Sequence, residues 1–157
     1  MNPGRSLTLV FGGVLAAIMQ QSVAPRIGSP DFLLVFLTVS SMFQTRLGGA
    51  LTGGYLGLLQ GALATANMTH YVASRAITGF GLGWSNQFRL RPTAVLAAVT
   101  AVVGTLIAQT IWMFIAGPSG IGAFVGDTIR TAMYNGVLAM PVYVILKKVL
   151  GSTQHER

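Results

Sequence analysis

The sequence contains no cysteine. Disulfides, thiolate metal sites and a cysteine nucleophile are therefore excluded together. Charge is nearly as scarce. Only 8% of the 157 residues are charged, where a soluble domain carries about 25%. So few charges cannot cover a water-facing surface, and the indicated fold class is an all-α integral membrane protein. The length allows one compact domain, 1–157, and no second one. Acids are the rarest charge: Asp31, Asp127 and Glu156 are all there are. The first two are expected near one interface and the third in the tail, so paired catalytic carboxylates are not expected. The chain reads as a non-enzyme without a cofactor. A metal site would need His70, Asp31 and Asp127, with no HxxxH or HExxH spacing, and none is expected. The net charge of +7 does not point to nucleic acid, because the basic residues lie mostly between apolar runs and form no stripe interleaved with aromatics.

What is present is apolar. Hydrophobic residues make up 52% of the chain and the mean hydropathy is +0.66. Breakers and charges divide the sequence into six segments, at 7–23, 31–44, 47–66, 69–85, 93–116 and 122–146. The first begins after Arg5 and imitates a secretory signal. With further spans behind it and no clean small-x-small cleavage site in AIMQQSVAP, it is expected to remain as a helix. Pro30 and Asp31 suit the start of the second. That segment is shorter than the ~20 residues needed to cross ~30 Å of hydrocarbon, so it is a short span or part of a re-entrant hairpin. The fifth stops at the turn cluster Gly117-Pro118-Ser119-Gly120. The sixth contains Pro141, where a kink is expected, and closes at Lys147-Lys148.

Six crossings with both termini cytoplasmic satisfy the positive-inside preference. Arg5, Arg46, Arg89, Arg91, Lys147, Lys148 and Arg157 then share the cytoplasmic side, and only Arg26 falls in an outer loop. This predicts one bundle of six transmembrane helices in the bacterial cytoplasmic (inner) membrane. Trp84, Trp112 and Tyr143 fall towards segment ends, as interface anchors do.

Two features invite a functional reading. The first is a row of glycines, Gly49, Gly53, Gly57 and Gly61, at four-residue spacing. This places them on one inclined ridge of a helix. In lipid, bare backbone lets another helix approach closely. The ridge, or the small-residue face Gly12, Gly13, Ala16 and Ala17 of the first segment, is a candidate seat for a partner's helix; the alternative is packing within the chain's own bundle. Gly79-Phe80-Gly81-Leu82-Gly83 resembles a phosphate-binding loop only superficially, since it lacks a preceding strand and a nearby lysine; tight helix packing is the simpler use.

The second feature is a set of polar residues at membrane depth: Arg75, Gln60, Gln109, Arg130 and Asn135, with Gln20 and Gln21. An arginine in mid-membrane costs about 2.5–3.5 kcal/mol on insertion scales. Arg75 either snorkels to the interface or meets polar groups in the bundle, for which the sixth segment offers Asp127, Thr131, Tyr134 and Asn135. Asp127 and Arg130, three residues apart, can pair with each other. The amides serve as interhelical glue or line a small pocket. No ring of charge at one depth suggests a selective channel.

Several short motifs resemble the rod-shape-determining MreD family over most of the chain. Pro30-Asp31-Phe32-Leu33-Leu34 opens a short apolar helix, Gly48 to Gly61 forms a glycine-rich third helix, and Tyr134-Asn135-Gly136-Val137-Leu138 leads to Pro141 and the closing lysines. Members often carry an acid late in the third helix, where this chain has Gln60 in Leu58-Leu59-Gln60-Gly61. The resemblance implies a membrane scaffold supporting cell shape and peptidoglycan synthesis. Its implied partners are an MreC-like single-span protein and, indirectly, MreB and a RodA/penicillin-binding transpeptidase. The family's fold is similar to that of substrate-binding S components of energy-coupling-factor vitamin transporters, which supplies the alternative function. In that reading Arg75, Gln109 and Asn135 line an outward pocket.

Overall fold

A short helix lies at the centre of the structure, wrapped by five others. The computed structural model describes residues 3–23, 29–64, 67–84, 92–118 and 120–151. These form an all-helical fold: α1 (Pro3–Val23), α2 (Phe32–Ser41), α3 (Arg46–Ala64), α4 (Met68–Gly83), α5 (Ala94–Ala116) and α6 (Ile121–Gly151). Arg26, Arg89, Arg91, Glu156 and Arg157, and the side chain of Arg5, lie outside the described residues, as does Ser119 of the expected turn.

Helix α2 has 10 residues, about 15 Å at 1.5 Å per residue, half of what a crossing requires. Every residue from Leu33 to Ser41 is buried, and the helix touches each of the other five. An apolar run without an exposed face is what such a position demands. Its polar residues turn back on its own backbone. The hydroxyls of Ser40 and Ser41 donate to the Leu37 carbonyl at 3.1 and 2.7 Å, and Thr38 donates to Val35 at 3.0 Å. The helix starts where Pro30 and Asp31 predict. The Asp31 carboxylate caps it by accepting from the Leu34 amide at 2.9 Å, satisfying one orphan donor.

The tightest pair is α3 with α4. A Cβ placed on Gly49 would stand 2.3 Å from the Gly79 carbonyl oxygen, and one on Gly53 2.1 Å from that of Arg75. At Gly57 and Gly61 it would meet the Cα atoms of Val72 and Met68 at 2.6 and 2.8 Å. The row therefore seats α4 of the same chain, backbone against backbone, and leaves no room there for a second protein. Gly79 and Gly83 complete the seam from the other side, while Gly81 faces open space. The small-residue face of α1 also turns inward. Gly12 lies under the Phe36 ring and Gly13 under Tyr55 and Leu56, and Ala16 and Ala17 are buried.

Helices α5 and α6 follow their local signals with one exception. Thr93 caps α5 by accepting from Leu96 at 3.2 Å, and Gly117, at φ 57°, ends it in the left-handed conformation, which glycine adopts without penalty. Helix α6 runs on through Pro141 and past Lys147-Lys148 to Gly151. Its last turns still bury Leu146 and Leu150, so packing extends the helix beyond the basic residues expected to end it. Tyr143 is no interface anchor. It is buried, stacks on Phe43 with ring centroids 6.0 Å apart, and donates to the Pro92 carbonyl. At the same end the Arg46 guanidinium lies over the Trp84 ring, 4.3 Å from its centroid.

The outer surface is as apolar as the core, and the polar groups at depth are gathered inside. Phe11, Leu15, Phe114, Met133, Val137 and Ile145 are all well exposed. Three helical stretches, Ser6–Val23, Ala94–Ala116 and Ile121–Leu150, are long and apolar enough to cross a membrane. Water-soluble monomers rarely show apolar surface of this extent, and the helices point to membrane association.

Adjacent glycines of α3 provide a controlled test of the seam. Gly53→Ala should lower stability by about 1–3 kcal/mol, as expected of overpacking. Gly54→Ala, with nothing within 4 Å of the added carbon, should be neutral or gain up to about 1 kcal/mol in helix propensity. Thermal unfolding of the two variants in detergent reads the difference.

Candidate functional site: a buried polar network under an end cavity

Because helix directions alternate, the last turns of α1, α3 and α5 meet the first turns of α2, α4 and α6 at one end of the bundle. Below that end, towards the middle of α4, α5 and α6, polar side chains from all six helices converge. Asp31 is the hub. Its carboxylate forms an ion pair with the Arg75 guanidinium, and both side chains are almost wholly buried. Gln60 bridges the two: its amide donates to Asp31 Oδ2 at 3.2 Å, and its carbonyl accepts from Arg75 Nε at 2.8 Å. The Asp31 backbone amide donates to Asn135 Oδ1 at 2.8 Å. Asn135, fully buried, donates in turn to Thr105 Oγ1 at 2.9 Å, which donates to the Ala101 carbonyl at 2.7 Å. Gln20 of α1 joins by accepting from the Phe32 amide at 2.7 Å.

Arg75 therefore neither snorkels outward nor draws on α6 for its charge. Its counter-ion comes from the start of α2. Composition held a signal for this, because Asp31 begins the most apolar short segment and a carboxylate there needs a cation. Breaking a buried pair leaves an uncompensated charge, and removal of one partner typically costs 3–5 kcal/mol. Gln60 also acquires a reason. With Asp31 already supplying the negative charge, an amide can accept from Arg75 and donate to Asp31 at once, whereas a second carboxylate could only accept.

The other members of the expected set separate from it. Arg130 is exposed on α6 and makes no ion pair with Asp127 among the described residues. Gln109 is half-buried and borders a cavity of about 670 Å³ that lies over the network. The cavity floor contains Asp31, Gln60, Arg75 and Ser74. Its walls include Gln20 and Gln21 of α1, Tyr71 of α4, and Asp127 and Thr128 of α6. Trp112 and Phe124 stack across α5 and α6 with centroids 5.8 Å apart and an interplanar angle of 14°. Trp112, expected as an interface anchor, thus belongs to the cavity wall. Its role, like those of Thr105, Phe124 and Thr128, carried no local signal: each depends on which helices become neighbours.

Chemically the site offers one neutralised ion pair, amide and hydroxyl groups most of which are already hydrogen-bonded, and one further carboxylate. Among the described residues no three His, Asp or Glu side chains gather as metal ligands. Compared with models of protein families, with curated proteins and with solved structures, the chain finds no match. Fold and site together define an all-helical chain with membrane-length helices and a polar cavity at one end of the bundle.

Arg75→Met should destabilise the protein by about 3–5 kcal/mol, and Arg130→Met by less than about 0.5 kcal/mol, the usual range for an exposed site. Pairing Arg75→Met with Asp31→Asn should recover part of the first loss, because no buried charge then remains. Thermal unfolding in one detergent compares the three.

Proposed function

We propose that the chain is a non-enzymatic membrane scaffold of the bacterial cell-elongation machinery, the role implied by its resemblance to the MreD family. The observation that carries this reading is the meeting of the two most distinctive stretches of that resemblance. Pro30-Asp31 and Tyr134-Asn135-Gly136 are far apart in sequence, yet Asp31 N and Asn135 Oδ1 are joined by a buried hydrogen bond across 104 positions. Motifs that would otherwise be short apolar coincidences share one structural task.

In this reading the chain passes the cytoplasmic membrane six times with both ends inside, the second passage made by the short buried α2 together with the residues that flank it. Arg46, Lys147 and Lys148 sit at the end opposite the cavity, on the first turn of α3 and the last turns of α6. The positive-inside preference assigns that end to the cytoplasm and opens the cavity outward. The glycine ridge and the Gly13/Ala17 face are used internally, so the transmembrane helix of an MreC-like partner meets the outward apolar faces of α1, α5 and α6. The S-component alternative is less well served, since Gly13 and Ala17, its loose match to the small-residue pair of that group's first helix, offer no free face.

Depletion of the protein from its host should turn rods into rounded cells, and the tagged protein should co-purify with a single-span MreC-like protein. Unchanged rods together with no such co-purification would overturn the proposal.

A further inference from the structure

The scaffold role makes no use of the open cavity at this end of the bundle. Its volume, about 670 Å³, lies within the roughly 300–1,000 Å³ range of small-molecule sites. Most of the polar groups in its floor are already committed. Arg75 is paired with Asp31, Gln60 is bonded to both, and Ser74 donates to the Ala108 carbonyl at 2.7 Å. One wall is different. Asp127 has no ion pair among the described residues. Beside it the Thr128 hydroxyl is buried without a hydrogen-bond partner, and such a group normally has one. Facing charges settle the sign of what would bind. Among the described lining residues Arg75 and Asp31 cancel, Arg130 is exposed and unpaired with Asp127, and Asp127 leaves one net negative charge. The stacked rings of Trp112 and Phe124 add faces that attract cations and accept flat apolar groups.

We propose that this cavity binds a small organic cation, an ammonium or protonated ring amine. Its charged nitrogen is held by Asp127, with the Thr128 hydroxyl turned towards it by rotation about the Cα–Cβ bond, and Trp112 and Phe124 lie against its apolar body. An anionic ligand would meet an uncompensated carboxylate, and a neutral one would leave Asp127 unanswered. The site stands independently of the scaffold role.

The chain has two tryptophans, and Trp84 lies at the opposite end over Arg46. In a Trp84→Phe background, fluorescence therefore reports Trp112 alone. The full chain in detergent is titrated with phenethylammonium, tryptamine and choline, and with the anion 3-phenylpropionate and the neutral 3-phenylpropanol. At least one cation should change the Trp112 signal saturably below about 10 mM, with about tenfold preference over the anion and the neutral analogue. Tryptamine, itself fluorescent, is read by calorimetry. Asp127→Asn should weaken that cation about tenfold, and Asp127→Glu should retain most of the affinity. Both variants should keep the parental melting temperature, since Asp127 makes no ion pair among the described residues. If Asp127→Asn does not fold, Thr128→Val replaces it, with weakened cation binding expected. Equal binding of the three charge types, cation affinity indifferent to both Asp127→Asn and Thr128→Val, or no saturable binding by any cation would overturn the proposal.

Discussion

A carboxylate buried at the head of a short central helix needs a cation and several hydrogen bonds, and meeting that need organises this molecule. Asp31 stands at the start of α2, buried with Arg75. In a low-dielectric interior an isolated ion is not tolerated, so α4 must stand where Arg75 reaches the carboxylate. Gln60 fixes α3 beside it. Asn135 ties α6, and through Thr105 also α5, to the same residue. One acid thereby sets the relative positions of five helices, and Gln20 adds the sixth. The pair need not add net stability compared with an apolar replacement. Its effect is on arrangement, because few packings of six apolar helices satisfy every one of these groups.

The glycine seam works by the opposite physics. Along the glycine row α3 and α4 meet backbone to backbone, with the Gln60–Arg75 hydrogen bond beside it; bare backbone permits approaches that a single methyl would block. Dispersion falls steeply with separation, so closeness over four turns compensates for the absence of side chains. The two devices are linked, since Gly53 rests on the carbonyl of Arg75 itself. The seam sets how close α4 stands to α3, and this distance brings Arg75 within reach of Gln60 and Asp31. Above the network lies the cavity, bordered on one side by Trp112 and Phe124, which stack between α5 and α6.

Different parts of this were legible to different degrees. The boundaries of α5 were readable almost to the residue, since Thr93 and Gly117 mark them chemically. The end of α6 was not, because Lys147 and Lys148 suggest a stop that burial of Leu150 overrides. The glycine ridge was visible as a close-packing surface, but spacing says nothing about which helix it faces. Arg75 was visible as a charge needing a partner. The polar groups the sequence offers it lie on α6, whereas its counter-ion is Asp31 at the head of α2, because proximity in three dimensions does not follow from proximity in any pattern along the chain. Tyr143 and Trp112, read as interface anchors from their place near segment ends, turned out to be interior and cavity residues. An aromatic near a helix end looks the same in sequence whether lipid or another helix lies beside it.

By itself, then, the sequence determined the class and the parts. Scarce charge, six apolar segments, a helix start at Asp31, a row of glycines and an arginine among apolar residues are all local properties, set by composition and by the periodicity of a helix. Only the tertiary structure decided the pairings: α3 against α4, Asp31 with Arg75, Asn135 between α2 and α5, and the cavity with Asp127 on its wall. These depend on long-range contacts among helices whose surfaces are nearly all apolar and therefore nearly interchangeable in sequence. The few polar atoms, which tolerate no wrong neighbour, make the choice.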